Sequence, residues 1–189
     1  MMRQCKRMHG GRHQYRMMQW LLAAIVAMGC SAYAQVTTPV SDLDLTQYQG
    51  DWFEVARIPN RFQKKCQKNV MATYQLRSDG YLTVTNTCVK KNGKRAIATG
   101  LARRADAGTS GRLAVSLFDV LGWRPFWGHY WVLYRDDTYT VAVVGDDRAR
   151  YGWVLSRQKT LTKDQRNTVM AILDANGYDV QSLQFTVHD

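Results

Sequence analysis

From residue 50 onward, apolar and polar residues alternate in short runs broken by turn residues. The first run is Gly50-Asp51-Trp52-Phe53-Glu54-Val55-Ala56-Arg57-Ile58, which stops at Pro59 and leads on to Phe62. Side chains in a strand point to opposite faces by turns. Alternation therefore sets Trp52, Glu54 and Ala56 on one face and Phe53, Val55 and Arg57 on the other. Both faces carry bulky apolar groups, so both are expected to be covered. A carboxylate beside the tryptophan predicts a sheet closed around an interior that is not wholly apolar.

Seven more runs follow. Residues 70–76 place Val70, Ala72, Tyr74 and Leu76 together, and after the turn Ser78-Asp79-Gly80 residues 81–88 place Leu82, Val84 and Asn86 together. Ala96, Ala98, Gly100 and Ala102 make a strand face of small residues only, which predicts space in front of it. Leu113, Val115 and Leu117 alternate next, then residues 130–134, residues 139–144, and Tyr151, Trp153, Leu155 and Arg157. Eight strands with hairpin-sized links indicate an all-β protein, an antiparallel up-and-down barrel or a sandwich. Thr162 with Gln165 is a capping box opening one C-terminal helix, with Val169, Ile172 and Leu173 on one side and Asn176-Gly177 at its end. Residues 180–187 predict a short ninth strand.

Residues 1–34 read differently. Five basic residues, no acid, an apolar run over residues 20–29 and Ala32-Tyr33-Ala34 have the form of a secretory signal. The run is shorter than the ~20 residues a membrane-spanning helix needs. A second processing route stays open: residues 27–30 end in Cys30, a candidate lipidation site of bacterial lipobox type, although Ala27 stands where leucine is usual. Either route exports the chain to the cell envelope, as a periplasmic protein or one anchored by lipid at the outer membrane. Residues 35–45 read as a polar tether, leaving residues 46–189 as the barrel domain. Without residues 1–34 the formal charge falls from +11 to +6, with 21 basic residues against 15 acids. Cys66 and Cys88 are then the remaining cysteines. An even pair in an oxidising compartment predicts a disulfide, the alternative being two free buried thiols.

Three segments together resemble the lipocalin family, in particular its bacterial branch: Gly50-Asp51-Trp52 with the run to Phe62; Gly145-Asp146-Asp147-Arg148; and Trp153-Val154-Leu155-Ser156-Arg157 before the helix. The resemblance covers about residues 43–187. It implies an eight-stranded calyx with the helix packed outside, Trp52 closing the floor and Arg157 lying across it. It also implies a small hydrophobic ligand, such as a fatty acid or lysophospholipid, and no cofactor.

Alternation from Trp52 and Trp153 predicts an inward set that would line the ligand: Glu54, Ala56, Tyr74, Val84, Asn86, Ala98, Leu113, Val115, Leu117, Tyr130, Val132 and Trp153, with Leu82 and Gly100 among them. Loops after strands one, three, five and seven share one end of an up-and-down barrel. They hold Arg61, Lys64, Lys65, Lys91 and Arg124, candidate contacts for an anionic head, with Lys68, Lys90, Lys94, Arg148 and Arg150 nearby. Val120, Trp123, Phe126 and Trp127 share one of these loops, which fits a lid, a membrane contact or a dimer contact. The chain is accordingly expected to be a monomer or a homodimer.

The competing reading is a small envelope enzyme acting on a lipid-like substrate, with Glu54 as a buried base. Beyond the signal only His129 and His188 remain, and no nucleophile stands with a base and an orienting partner as hydrolases require. Nor is there a cluster with metal-ligand spacing. Nucleic-acid binding by basic loops and aromatics is disfavoured by the meander and the export signal.

Overall fold

The computed structural model describes residues 37–189; the expected signal segment and the candidate lipidation site Cys30 lie outside the described residues. The strands are β1 (Gly50–Arg57), β2 (Cys66–Leu76), β3 (Leu82–Lys90), β4 (Arg95–Arg104), β5 (Arg112–Ser116), β6 (Gly128–Arg135), β7 (Val141–Gly145) and β8 (Gly152–Ser156). Each pairs antiparallel with the next. β1 pairs with both β2 and β8, which closes the barrel. A short helix α1 (Leu45–Tyr48) precedes β1, and α2 (Lys163–Ala175) follows β8.

Two apolar clusters follow from the pleat. Inside the barrel, Trp52, Tyr74, Leu82, Val84, Leu113, Val132, Val144 and Leu155 pack with Leu43, Leu45 and Tyr48, which come up from the closed end. Outside, Val55, Leu133, Val141, Val143 and Val154 receive Val169 and Leu173 of α2. Being covered on both faces, β7 is buried at all five positions, and its sequence has no polar side chain for that reason. The capping box starts α2 as expected: Gln165 N–H donates to Thr162 Oγ1 at 3.2 Å, and Thr162 N–H to Gln165 Oε1 at 2.9 Å.

Three expectations are corrected. First, Ala56 faces outward. A bulge between Glu54 and Ala56 inserts one residue, so Ala56 pairs with Val154 and joins the outer cluster, while Arg57 pairs with Trp153 and turns inward. Second, the segment from Thr37, expected as part of a tether, is docked. Thr37 is buried, Val40 N–H donates to the Val132 carbonyl at 2.8 Å, and Gly111 N–H donates to the Val40 carbonyl at 3.0 Å. Third, Tyr139 lies in a turn rather than a strand, because the Asp136 carboxylate accepts the N–H groups of Thr140 and Val141 and takes the place of a ladder. The short ninth strand expected within residues 180–187 is present as β9 (Gln184–Phe185), against the end of β1, and a 3-10 turn (Val180–Ser182) precedes it. Asp179 caps the turn with its side chain on Gln181 N–H, which ends any longer extended run there.

Candidate ligand-binding site

The floor is built first. Gly50 adopts φ +97°, and a Cβ there would lie 3.2 Å from Arg157 Nη1. Glycine is therefore favoured by the backbone, and a larger residue would crowd the guanidinium above it. The Arg157 guanidinium carbon sits 3.8 Å from the centroid of the Trp52 ring. Its nitrogens donate to the carbonyls of Asp51 (2.7 Å), Gln49 (2.8 Å), Gln47 (3.0 Å), Tyr48 (3.3 Å) and Tyr139 (3.2 Å). Trp52 Nε1–H donates to the Tyr48 carbonyl at 2.7 Å. One cation thus gathers the chain ends around α1, and an indole closes the bottom.

Above the floor lies a layer of tyrosines. The hydroxyl of Tyr130 lies 2.8 Å from that of Tyr48 and 2.7 Å from that of Tyr74. Burial pushes the Tyr74 hydroxyl up to about pKa 12, and burial raises Tyr48 and Tyr130 well above the ordinary phenol value. These groups are neutral hydrogen-bonding partners for one another.

The wall formed by β1 and β8 is polar. Glu54, 3% exposed, accepts from Arg57 Nη1 at 2.7 Å, from Gln63 Nε2, and from Thr186 Oγ1 at 3.0 Å. Trp153 Nε1–H donates to Gln63 Oε1 at 2.8 Å, and Asn60 Nδ2 donates to the same oxygen at 2.8 Å. Glu54 and Trp153 were expected here. Arg57, Gln63 and Thr186 were not: Arg57 is delivered by the bulge, Gln63 by the following loop and Thr186 from the C-terminal end. The one available signal was Gln63 itself, the polar residue next to Phe62 in an otherwise basic loop.

The opposite wall is open. Asn86 pairs with Ala98 and Val84 with Gly100, on the same face as buried Leu82, so these four positions face inward. Ala98 is nonetheless exposed. The space expected at Gly100 is taken by Leu117: a Cβ there would lie 2.7 Å from Leu117 Cδ2 and would collide with the Ser116 carbonyl. Leu117 itself is 41% exposed, while Val115 and Tyr130 pack against the interior cluster.

At the rim, Arg61, Lys64, Lys65 and Lys91 are exposed. Arg124 is instead tied down, donating to the Ser116 carbonyl at 3.1 Å and pairing with Asp119 at 3.1 Å. Cys66 and Cys88 form a disulfide that binds the start of β2 to β3 beside the mouth. In the loop after β5, Leu121, Trp123 and Phe126 project into solvent, at 103%, 68% and 70% exposure. Trp127 folds back instead, its ring 4.7 Å from the guanidinium of Arg103. The three exposed side chains of this loop are not packed into the interior cluster.

The family described as "Lipocalin-like domain" matches residues 43–188. The outer membrane lipoprotein Blc of Escherichia coli K12 is 36% identical, over 84% of this chain and 88% of its own length. Temperature-induced lipocalin-1 of Arabidopsis thaliana is 35% identical, over 78% and 80%. Among solved structures, insecticyanin of the tobacco hornworm Manduca sexta superposes with a TM-score of 0.67 at 21% identity, over 81% of this chain and 85% of that one. The barrel with its Trp52–Arg157 floor and these matches over most of the chain show that the chain belongs to the lipocalin family, whose members bind small hydrophobic ligands.

Proposed function

We propose that the protein is an exported carrier for a single-chain lipid with one anionic end, a fatty acid or lysophospholipid, working in the cell envelope. The observation that carries this reading is the two-sided lumen above a sealed floor: exposed apolar positions at Ala98 and Leu117 on one wall, a polar cluster at Glu54, Arg57 and Gln63 on the other. A mostly apolar pocket with a few placed polar groups is the usual form of a small-molecule site. The acyl tail lies along the small-residue wall of β3 and β4, and the exposed rim cations draw the head toward the mouth. The names of the bacterial relatives, outer membrane lipoproteins, support the envelope location and the reading of Cys30 as a lipid anchor. The exposed aromatic loop then faces an anionic lipid surface, where a carrier would load and unload.

Native mass spectrometry of the delipidated protein, titrated with a lysophospholipid, tests the reading. One lipid bound per chain, with quenching or enhancement of the Trp153 emission, is the expected result. A protein that takes up no single-chain lipid, or that releases it as hydrolysed product, overturns it, the second outcome in favour of the envelope enzyme.

A further inference from the structure

Arg57 is the least expected residue in the lumen. Its side chain is only 14% exposed and its partner Glu54 only 4%. A buried ion pair is poor evidence of stabilisation, since desolvating two charges cancels most of their attraction, and apolar replacements of the same volume are often as stable. The barrel already has apolar residues to spare on this wall, in Trp153 and Leu155. Stability therefore does not account for the pair.

The geometry of the guanidinium points to another role. Both of its hydrogen bonds fall on Nη1, to Glu54 Oε1 at 2.7 Å and to Thr186 Oγ1 at 3.4 Å. Nε and Nη2 make no hydrogen bond among the described residues. Glu54 is itself held by Gln63 and Thr186, so it fixes one corner of the guanidinium and leaves the other edge presented. That edge carries two parallel donors, the fork that matches a carboxylate or phosphate. It shares a face with Trp153 in the lumen, at the end of β1 from which the loop with exposed Arg61, Lys64 and Lys65 departs.

We propose that Arg57, held by Glu54, is the anchor for the anionic head of the lipid inside the barrel, and that the rim lysines only steer it there. This rests on the carrier reading above and adds to it the residue that selects the head. It makes the head group, and not the tail alone, a determinant of affinity. Carboxylate and phosphate heads share the chemistry, and the ratio of their affinities tells which of the two the site is shaped for.

The test uses delipidated protein and three ligands of one acyl chain: the fatty acid, the lysophosphatidic acid and the neutral monoacylglycerol. The variants are Arg57→Gln and the double variant Glu54→Gln with Arg57→Gln, which leaves no unpaired buried charge and keeps the test open if the single variant folds poorly. Loss of a charge-assisted hydrogen bond predicts affinity for both anionic lipids reduced by roughly tenfold to a hundredfold, with the monoacylglycerol unchanged. Added salt removes little of that difference, because the contact is buried. Lys64→Gln with Lys65→Gln gives a smaller loss that salt abolishes. Wild-type affinity for the anionic lipids in the double variant, or an equal fall for the neutral one, overturns the anchor and leaves the carrier standing. Failure of the wild-type protein to bind any of the three overturns both.

Discussion

The tyrosine layer shows how single residues set the conditions under which this barrel is stable. Tyr48, Tyr74 and Tyr130 bury three hydroxyls that satisfy one another only while neutral or nearly so. Burial raises the Tyr74 pKa from 10.0 to about 12. The unfolded chain therefore gives up this proton before the folded one does. Its contribution is complete below pH 10 and falls away as pH rises from 10 to 12, because the unfolded state binds fewer protons over that range. Two units correspond to about 3 kcal/mol for this residue. Urea midpoints taken across that range should fall, and Tyr74→Phe should flatten part of the fall, the other two tyrosines supplying the rest. Arg157 illustrates the complementary case. Burial lowers its pKa, yet five carbonyls and the Trp52 face hold it at the floor.

At the scale of elements, the docking of α2 and the segment after it depends on close approach to two strands. Tyr178 packs its ring and hydroxyl over Gly145 and Gly152 at the mouth ends of β7 and β8. Its hydroxyl donates to the Tyr151 carbonyl at 3.0 Å and accepts from Asp146 N–H at 3.2 Å. A Cβ on Gly145 would collide with that hydroxyl. Gly145→Ala should thus destabilise the protein by roughly 2 kcal/mol or more, as overpacking of a rigid contact does, seen as a lower urea midpoint with unchanged slope. A stability equal to wild type would mean that the segment after α2 is free to shift. The buried Asp146 carboxylate organises the same corner, accepting the N–H groups of Arg150 (2.7 Å) and Tyr151 (2.9 Å). The acidic turn that marks the family is therefore a structural knot as well as a motif.

For the whole molecule, charge and apolar exposure coincide at one end. The rim cations and the loop carrying Leu121, Trp123 and Phe126 are at the mouth, opposite the floor sealed by α1. A basic residue close to an anionic leaflet contributes about 1 kcal/mol, and salt removes it. Flotation with anionic vesicles should recover the wild-type protein at low salt. Trp123→Ser with Phe126→Ser should reduce recovery several-fold even though the barrel is intact. Equal recovery of this variant would show that the exposed loop is not the membrane contact. Trp127 is not a useful site for this test, because its ring is occupied by Arg103.

Much of the barrel was legible in the chain. Alternation and turn residues located all eight strands, the capping box marked α2, and the segments around Trp52 and Arg157 pointed to the floor that the barrel has. These features are local, or follow from a period of two that each strand carries for itself. The interior of the mouth was less legible. Nothing in Gly50-Asp51-Trp52-Phe53-Glu54-Val55-Ala56-Arg57 announces a bulge, yet one inserted residue exchanges the faces of Ala56 and Arg57. Gln63 and Thr186 reach Glu54 from 9 and 132 positions away, and Thr37 reaches Asp146 from 109. Pattern along a strand determines that a sheet closes and which side is greasy. Which polar groups meet inside it is decided by register and closure, because those bring together residues whose separation along the chain carries no information about their distance.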